Sequence, residues 1–225
     1  MLSILIVLHI TSGAIGLLTG FLTILLPKGD QQHKRTGNIY IWAMLSLGIT
    51  GAIVAFVRDI PLSMMNGLVI CYFVLTSLST IRNPLHTTTV FDKALMASAW
   101  FITAGFVYFV VQVTGTETGQ LGGFGPGAYV VFGSVMFFSA IADTRYLVKS
   151  GLSRKQQLVR HLWRMLFPQF MASAAFFLGQ ATLFPQSLQA IEILIIPVVF
   201  VILSLLYWTV KINLRFYERK PIISS

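Results

Sequence analysis

The stretch LSILIVLHITSGAIGLLTGFLTILL, residues 2–26, followed at once by PKGDQQHKRTG, residues 27–37, decides the fold. A helix needs about 20 apolar residues to cross the hydrocarbon core of a bilayer. The run from Leu2 to Leu26 supplies them and is interrupted only by His9 and by small or hydroxyl residues. A secretory signal peptide is the competing reading. It fits poorly, because no basic segment precedes the run and the run outlasts a typical signal-peptide core. Pro27 and Gly29 end the helix, and Lys28, Lys34 and Arg35 in the polar segment mark the cytoplasmic side, where basic residues are retained.

Working outward, the same alternation repeats. A second apolar run meets Arg58, Asp59 and Pro61 in a short outer turn, and a third returns to Arg82, Asn83 and Pro84. A loop through Asp92 and Lys93 leads into the fourth. The connection from Thr114 to Pro126 holds five glycines, Glu117 and no basic residue, which is the composition of a flexible outer loop. After the fifth run comes the longest cytoplasmic stretch, Asp143 to Arg160. The sixth run opens near Trp163 and Arg164 and closes at Phe184 and Pro185, and the seventh leaves a basic tail with Lys211, Arg215, Arg219 and Lys220. The predicted architecture is all-α, an integral membrane bundle of seven transmembrane helices, N-terminus out and C-terminus in. It forms a single domain over residues 1–225, with approximate spans 3–26, 38–57, 62–81, 94–113, 127–142, 161–183 and 188–210.

Composition agrees. The chain is 56% hydrophobic and 10% charged, with a mean hydropathy of +0.79, and a soluble domain carries more than twice that share of charge. The net charge of +9 would raise nucleic-acid binding in a soluble protein. Here all 16 Lys and Arg residues except Arg58 fall on alternate loops or the helix ends beside them, so no nucleic acid is implied. The partner implied is a bilayer with anionic headgroups on the cytoplasmic side of a cell membrane, in a bacterium the inner membrane. Cys71 is the single cysteine, so neither a disulfide nor a thiolate metal site can form within one chain.

Polar groups inside a bilayer are costly and therefore informative. His9, Ser12, Gly13, Gly16, Gly20 and Thr23 recur at spacings of three and four and share one face of the first helix. That face reads either as a close helix contact of the small-xxx-small kind, with His9 bonded to a neighbour, or as the wall of a functional pocket. Gln169, Ser173 and Gln180 form a seam on span six, and Asn66, Ser77 and Thr80 one on span three; such seams bind helices together or line a pathway. His33, His86 and His161 are expected at the cytoplasmic level with Asp30, Asp92 and Asp143. Imidazole and carboxylate suit zinc, iron or copper, so His33, His86, His161 and Asp143 are candidate metal ligands, and solvated loop residues are the plainer alternative. His161, Arg164 and Met165 are neighbours at i, i+3 and i+4. They would serve to bind an anion, such as a headgroup or a haem propionate, or to anchor the helix at the interface beside Trp163. Glu192 and Asp143 are candidate proton-relay carboxylates or charges at helix ends that reach water.

Two segments carry a resemblance. His9, Gly13, Gly16 and Gly20, then His33, Arg35, Gly37 and Tyr40, with the run from Arg160 through His161 and Arg164 to Met165 downstream, resemble a widespread bacterial family of multi-pass membrane proteins whose domain has no assigned function. The resemblance covers spans one, two and six and implies that these histidines and arginines are the family's characteristic polar positions. It brings no substrate or cofactor with it.

Three functions follow from the residues. The first is a redox protein holding haem b or a divalent metal through histidines and communicating with quinone, with His9, His161 and Arg164 as cofactor residues. The second is a metal-dependent lipid hydrolase using zinc at the inner headgroups. The third is a small-solute or proton-coupled transporter built on the polar seams, with His9 or Glu192 titrating. No phosphate loop, nucleotide fingerprint or serine elbow occurs in proper context. Whether the chain is an enzyme, and its oligomeric state, are not legible in the sequence.

Overall fold

The structure is a computed structural model that describes residues 2–218. Among these the regular structure is helical: α1 (Leu2–Leu25), α2 (Gln31–Val57), α3 (Pro61–Arg82), α4 (Val90–Thr114), α5 (Pro126–Val148), α6 (Arg154–Ser173), a short α7 (Ile191–Leu194) and α8 (Ile196–Glu218). Six segments are long and apolar enough to cross a membrane: α1 to α5, and α7 with α8 taken together as Ile191–Arg215. The helix α6 falls short of that measure because Arg154, Lys155, Arg160 and Arg164 crowd its first three turns. It continues as a π-helical segment, Ala174–Leu178. The basic tail residues Arg219 and Lys220 lie outside the described residues.

Helix α3 is the hub. It packs against α2, α4, α5 and α6, while α1 rests on α2 and α6, and α8 on α6. Close approach between α1, α2 and α6 depends on missing side chains. A Cβ on Gly16 would stand 2.9 Å from Met44 Sδ, and one on Gly20 would stand 2.0 Å from Gln169 Oε1. Between α2 and α3, a Cβ on Gly67 would stand 2.5 Å from the carbonyl of Gly48, backbone against backbone. The first helix's small face is therefore a helix contact.

Several helices begin earlier or end later than the apolar runs suggest, whereas the sixth stops short of residue 183, its α-helix ending at Ser173 and its π-helical turn at Leu178, and the α-helical structure of the seventh starts at Ile191 rather than 188. Asp30 caps α2 by accepting from the His33 N–H at 2.7 Å. Thr89 and Asp92 form a reciprocal capping box that starts α4, and Ser153 and Gln156 form another that starts α6 at residue 154 rather than 161. At the other end α5 extends past residue 142 to Val148. Hydropathy follows the bilayer's demand for apolar surface, whereas these polar end turns are specified by capping hydrogen bonds, so Asp92 and Asp143 are helical and not loop residues.

The connection from residue 115 to 125 is also more ordered than its glycines suggest. Leu121 and Phe124 pair as an isolated bridge, Tyr129 Oη donates to the Leu121 carbonyl at 2.9 Å, and a Cβ on Gly122 would meet Pro61 Cδ at 2.9 Å. Its glycines supply positive φ at residues 119, 122 and 123 for a compact turn seated on the α2–α3 corner. At the basic end of the bundle two loops interlock. The His86 N–H donates to the Leu152 carbonyl at 3.1 Å, and Gly151, at φ +110°, lies so close to the next loop that a Cβ would stand 2.3 Å from the Thr87 nitrogen.

Candidate functional site

The interior of the bundle holds a charged cluster between α3, α5 and α6. Arg164 is 0% exposed, Asp143 1% and Arg160 9%. Arg164 forms an ion pair with Asp143, and its Nη1 also donates to Tyr72 Oη at 2.9 Å and Thr76 Oγ1 at 2.7 Å. Arg160 Nη1 lies 3.0 Å from Asp143 Oδ1, and its Nε donates to Thr80 Oγ1 at 2.8 Å. Tyr72 Oη donates to Asp143 Oδ2 at 2.7 Å. The geometry follows from two helical periodicities: Tyr72, Thr76 and Thr80 stand four apart on α3, and Arg160 and Arg164 stand four apart on antiparallel α6. Between Tyr72 and Arg82 at its helix end the axis rises about 15 Å, so the cluster reaches about half the length of α3.

Aromatic faces enclose the cations. The Arg164 guanidinium carbon lies 4.9 Å from the Trp163 ring centre and 5.2 Å from that of Tyr72, and Arg160 lies 4.3 Å from that of Tyr146. Tyr146 leads to a second polar knot at the basic end. Asp92 accepts from Ser79 Oγ and Asn83 Nδ2, each at 2.7 Å, from the Thr89 backbone at 2.7 Å, and from Tyr146 Oη at 3.4 Å. Gln157 Nε2 closes the knot on the Asn83 carbonyl at 3.0 Å. Two arginines thus face one carboxylate directly, and a second carboxylate stands behind the tyrosine. Buried ion pairs persist only where hydrogen bonds meet their remaining donors and acceptors, and this network meets nearly all of them; Arg164 Nε is a buried atom without a partner.

His161 lies beside this column. Ser77 Oγ is 2.8 Å from His161 Nδ1 and 3.1 Å from the His161 carbonyl. The single hydroxyl hydrogen serves one of these acceptors; when it goes to the carbonyl, Nδ1–H donates to Ser77 Oγ and the ring's lone pair sits on Nε2. His33, in the first turn of α2, is close enough to His161 for their charges to interact, and its Nδ1 is buried without a partner. Tyr40, also on α2, donates to the Met165 carbonyl at 2.9 Å. Of the residues that carry the family resemblance, His33 and Tyr40 on α2 thus lie beside His161 and Met165 on α6.

The other candidates lie apart. His9 Nδ1 is 3.3 Å from Thr50 Oγ1, whose own hydrogen goes to the Ser46 carbonyl at 2.6 Å, so His9 donates to α2 at the opposite end of the bundle. His86 is exposed in the α3–α4 loop at φ 56°. Glu192 and Gln180 are exposed, and Asp143 is engaged by the arginines. Among the described residues no group of three or more His, Cys, Asp or Glu side chains has the arrangement to hold a metal ion. Neither a four-ligand set of His33, His86, His161 and Asp143 nor a propionate-binding Arg164 is assembled here, since Arg164 is already committed to Asp143. Tyr72 and Thr76 are the site residues that sequence reasoning passed over, while Asp92 was read only as one of three carboxylates at the cytoplasmic level and Arg160 only as part of the run that carries the resemblance. The signal present in the sequence was the spacing of Tyr72, Thr76 and Thr80 against Arg160 and Arg164.

Fold and site together define a helical bundle with six segments, among the described residues, long and apolar enough to cross a membrane, and with a buried arginine–aspartate column. Compared with known proteins, the chain matches no protein-family model, no curated protein and no solved structure.

Proposed function

We propose that the chain is a cell-membrane protein of seven spans, with α6 and its π-helical continuation as the additional span and the basic end cytoplasmic. Its activity is proton-coupled movement of a small solute along the α3–α6 interface. Ionisable groups inside a membrane bundle are functional by default. The observation that carries the reading is Asp143, enclosed at depth between Arg160, Arg164 and Tyr72 with polar groups leading to it from the basic end. In this reading Asp143, held by Tyr72 and the two arginines, is the relay carboxylate, and Arg160, nearest the basic end, meets the solute. Membership in the bacterial family resembled by spans one, two and six is part of the same proposal.

The test is proton uptake by proteoliposomes holding a pH-sensitive dye, driven by a potassium diffusion potential. Uptake above that of empty liposomes, lost in Asp143→Asn, is the expected result; uptake no faster than in empty liposomes refutes the reading. Maleimide labelling of Ser153→Cys from outside intact cells tests the orientation and should fail.

A second reading, a haem protein linked to quinone, is favoured by His161 alone. Ser77 Oγ stands 2.8 Å from its Nδ1, where it can accept Nδ1–H as the neighbouring acceptors of metal-bound imidazoles usually do, which would leave Nε2 for iron. Purified protein expressed with haem supplied should then show a Soret band that His161→Ala removes. Colourless wild-type protein excludes this reading.

A further inference from the structure

Where α1 ends and α8 approaches the basic end, two lysines distant in sequence share one indole. Lys28 Nζ lies 4.6 Å from the Trp208 ring centre, and Lys211 Nζ lies 4.8 Å from the same ring. Lys28 is fixed there by donating to the carbonyls of Thr23 and Ile24, each at 2.6 Å, and of Leu26 at 3.2 Å, and so caps the end of α1. Lys211 donates to Tyr207 Oη at 3.1 Å, and its ammonium is otherwise open. Arg215 follows one turn on along the same face of α8. Among the described side chains the ion pairs are those of Asp143 with Arg160 and Arg164, and none involves Lys28, Lys211 or Arg215.

Two like charges near one aromatic ring repel each other, and an anion beside them offsets that cost. Burial already holds the Lys28 ammonium down at about 8 from its ordinary 10.5. The helices beneath carry exposed apolar stripes, Leu18, Leu22 and Leu25 on α1 and Leu203, Leu206 and Val210 on α8. An anionic head over long apolar surface is the chemistry of a phospholipid, and a Trp–Tyr pair at the helix end is the usual marker of headgroup depth. We propose that Lys211 and Trp208, with Lys28 beside them as a second positive charge whose own N–H donors already serve the α1 carbonyls, form a binding site for the phosphate of an anionic phospholipid, whose acyl chains lie along α1 and α8. The site is independent of the arginine–aspartate column.

The test is native mass spectrometry of the full chain released from micelles holding equal phosphatidylglycerol and phosphatidylcholine. Wild-type protein should retain phosphatidylglycerol preferentially. Lys28→Gln and Lys211→Gln should each lower that preference about fivefold, whereas Arg35→Gln with Lys149→Gln, exposed basic positions elsewhere at the same end, should leave it unchanged. Lys211 caps no helix, so its variant reads the site even where Lys28→Gln destabilises α1. Preference retained in the Lys28→Gln, Lys211→Gln double variant overturns the site. So does equal loss in the Arg35, Lys149 control, which would mean diffuse surface charge. A further arm replaces the lipid with inorganic phosphate: a phosphate adduct removed by Lys211→Gln would assign the site to the free ion and overturn the lipid reading.

Discussion

Replacing Asp143 with alanine tests the buried column most directly. Among the described residues the carboxylate is the one direct counter-charge for two guanidinium groups, of which Arg164 is 0% exposed. Once it is gone, Arg164 retains as oxygen partners Tyr72 at 2.9 Å and Thr76 at 2.7 Å, both neutral, and its Nε already lacks one. Stranding a buried charge in this way costs about 3–5 kcal/mol. Arg160 lies nearer the basic end and keeps its bond to Thr80, so it can turn toward water. The expected order of destabilisation is Asp143→Ala, then Arg164→Ala, with Arg160→Ala well below both. The double variant Asp143→Ala, Arg164→Ala should be more stable than the sum of its parts by about 1–3 kcal/mol, because removing both partners leaves less charge unpaired. Unfolding of the detergent-solubilised protein by sodium dodecyl sulfate, followed by tryptophan fluorescence, measures all four. A cost of under about 1 kcal/mol for Asp143→Ala, or strict additivity in the double variant, would refute the account of the cluster as a buried ion network.

Three further outcomes are expected. Gly20→Ala brings a methyl group into the Gln169 amide and should cost about 1–3 kcal/mol through overpacking; Gln169→Ala in the same chain should restore part of it, and failure to do so would place the strain elsewhere. Thr89→Ala removes the cap of α4 and one donor to Asp92 and should cost about 1 kcal/mol in the same unfolding assay. In lipid-free detergent, the folded state holds the Lys28 ammonium at about 8, below its ordinary 10.5, and so binds fewer protons than the unfolded chain between those values. Stability should therefore rise with pH through that window, and Lys28→Gln should remove this rise; an unchanged pH profile in the variant would mean that Lys28 is not the group responsible.

Hydropathy alone located the apolar segments, because a bilayer accepts few alternatives to a helix of about 20 apolar residues. The ends of those helices were less legible. The capping boxes at Thr89 and Ser153 were in the sequence, yet a hydropathy reading ignores them and leaves Asp92 in a loop and α6 shorter at its start. His161 and Arg164 stood out as polar residues near an apolar run, and both fall in the interior column. The partner of Arg164 did not stand out. Pairing α5 with α6 through Asp143 is a tertiary fact, and Arg145 close by made Asp143 look like an ordinary helix-end charge. The same limit separated His9 from Thr50, since no spacing within α1 tells which residue of α2 faces it.

The arginines of α6 have a consequence for how this chain is made. Each costs about 2.5–3.5 kcal/mol to place in the middle of a bilayer on an isolated helix, and α6 is too polar to qualify as a span by its own hydropathy. Its acceptors, Tyr72, Thr76 and Asp143, all lie earlier in the chain, so the ribosome delivers the carboxylate first and the guanidinium groups afterwards. On the proposed seven-span reading, a nascent chain carries a lone acid within its fifth helix until α6 emerges, and the ion pair then offsets the cost of placing the arginines of that segment in the bilayer.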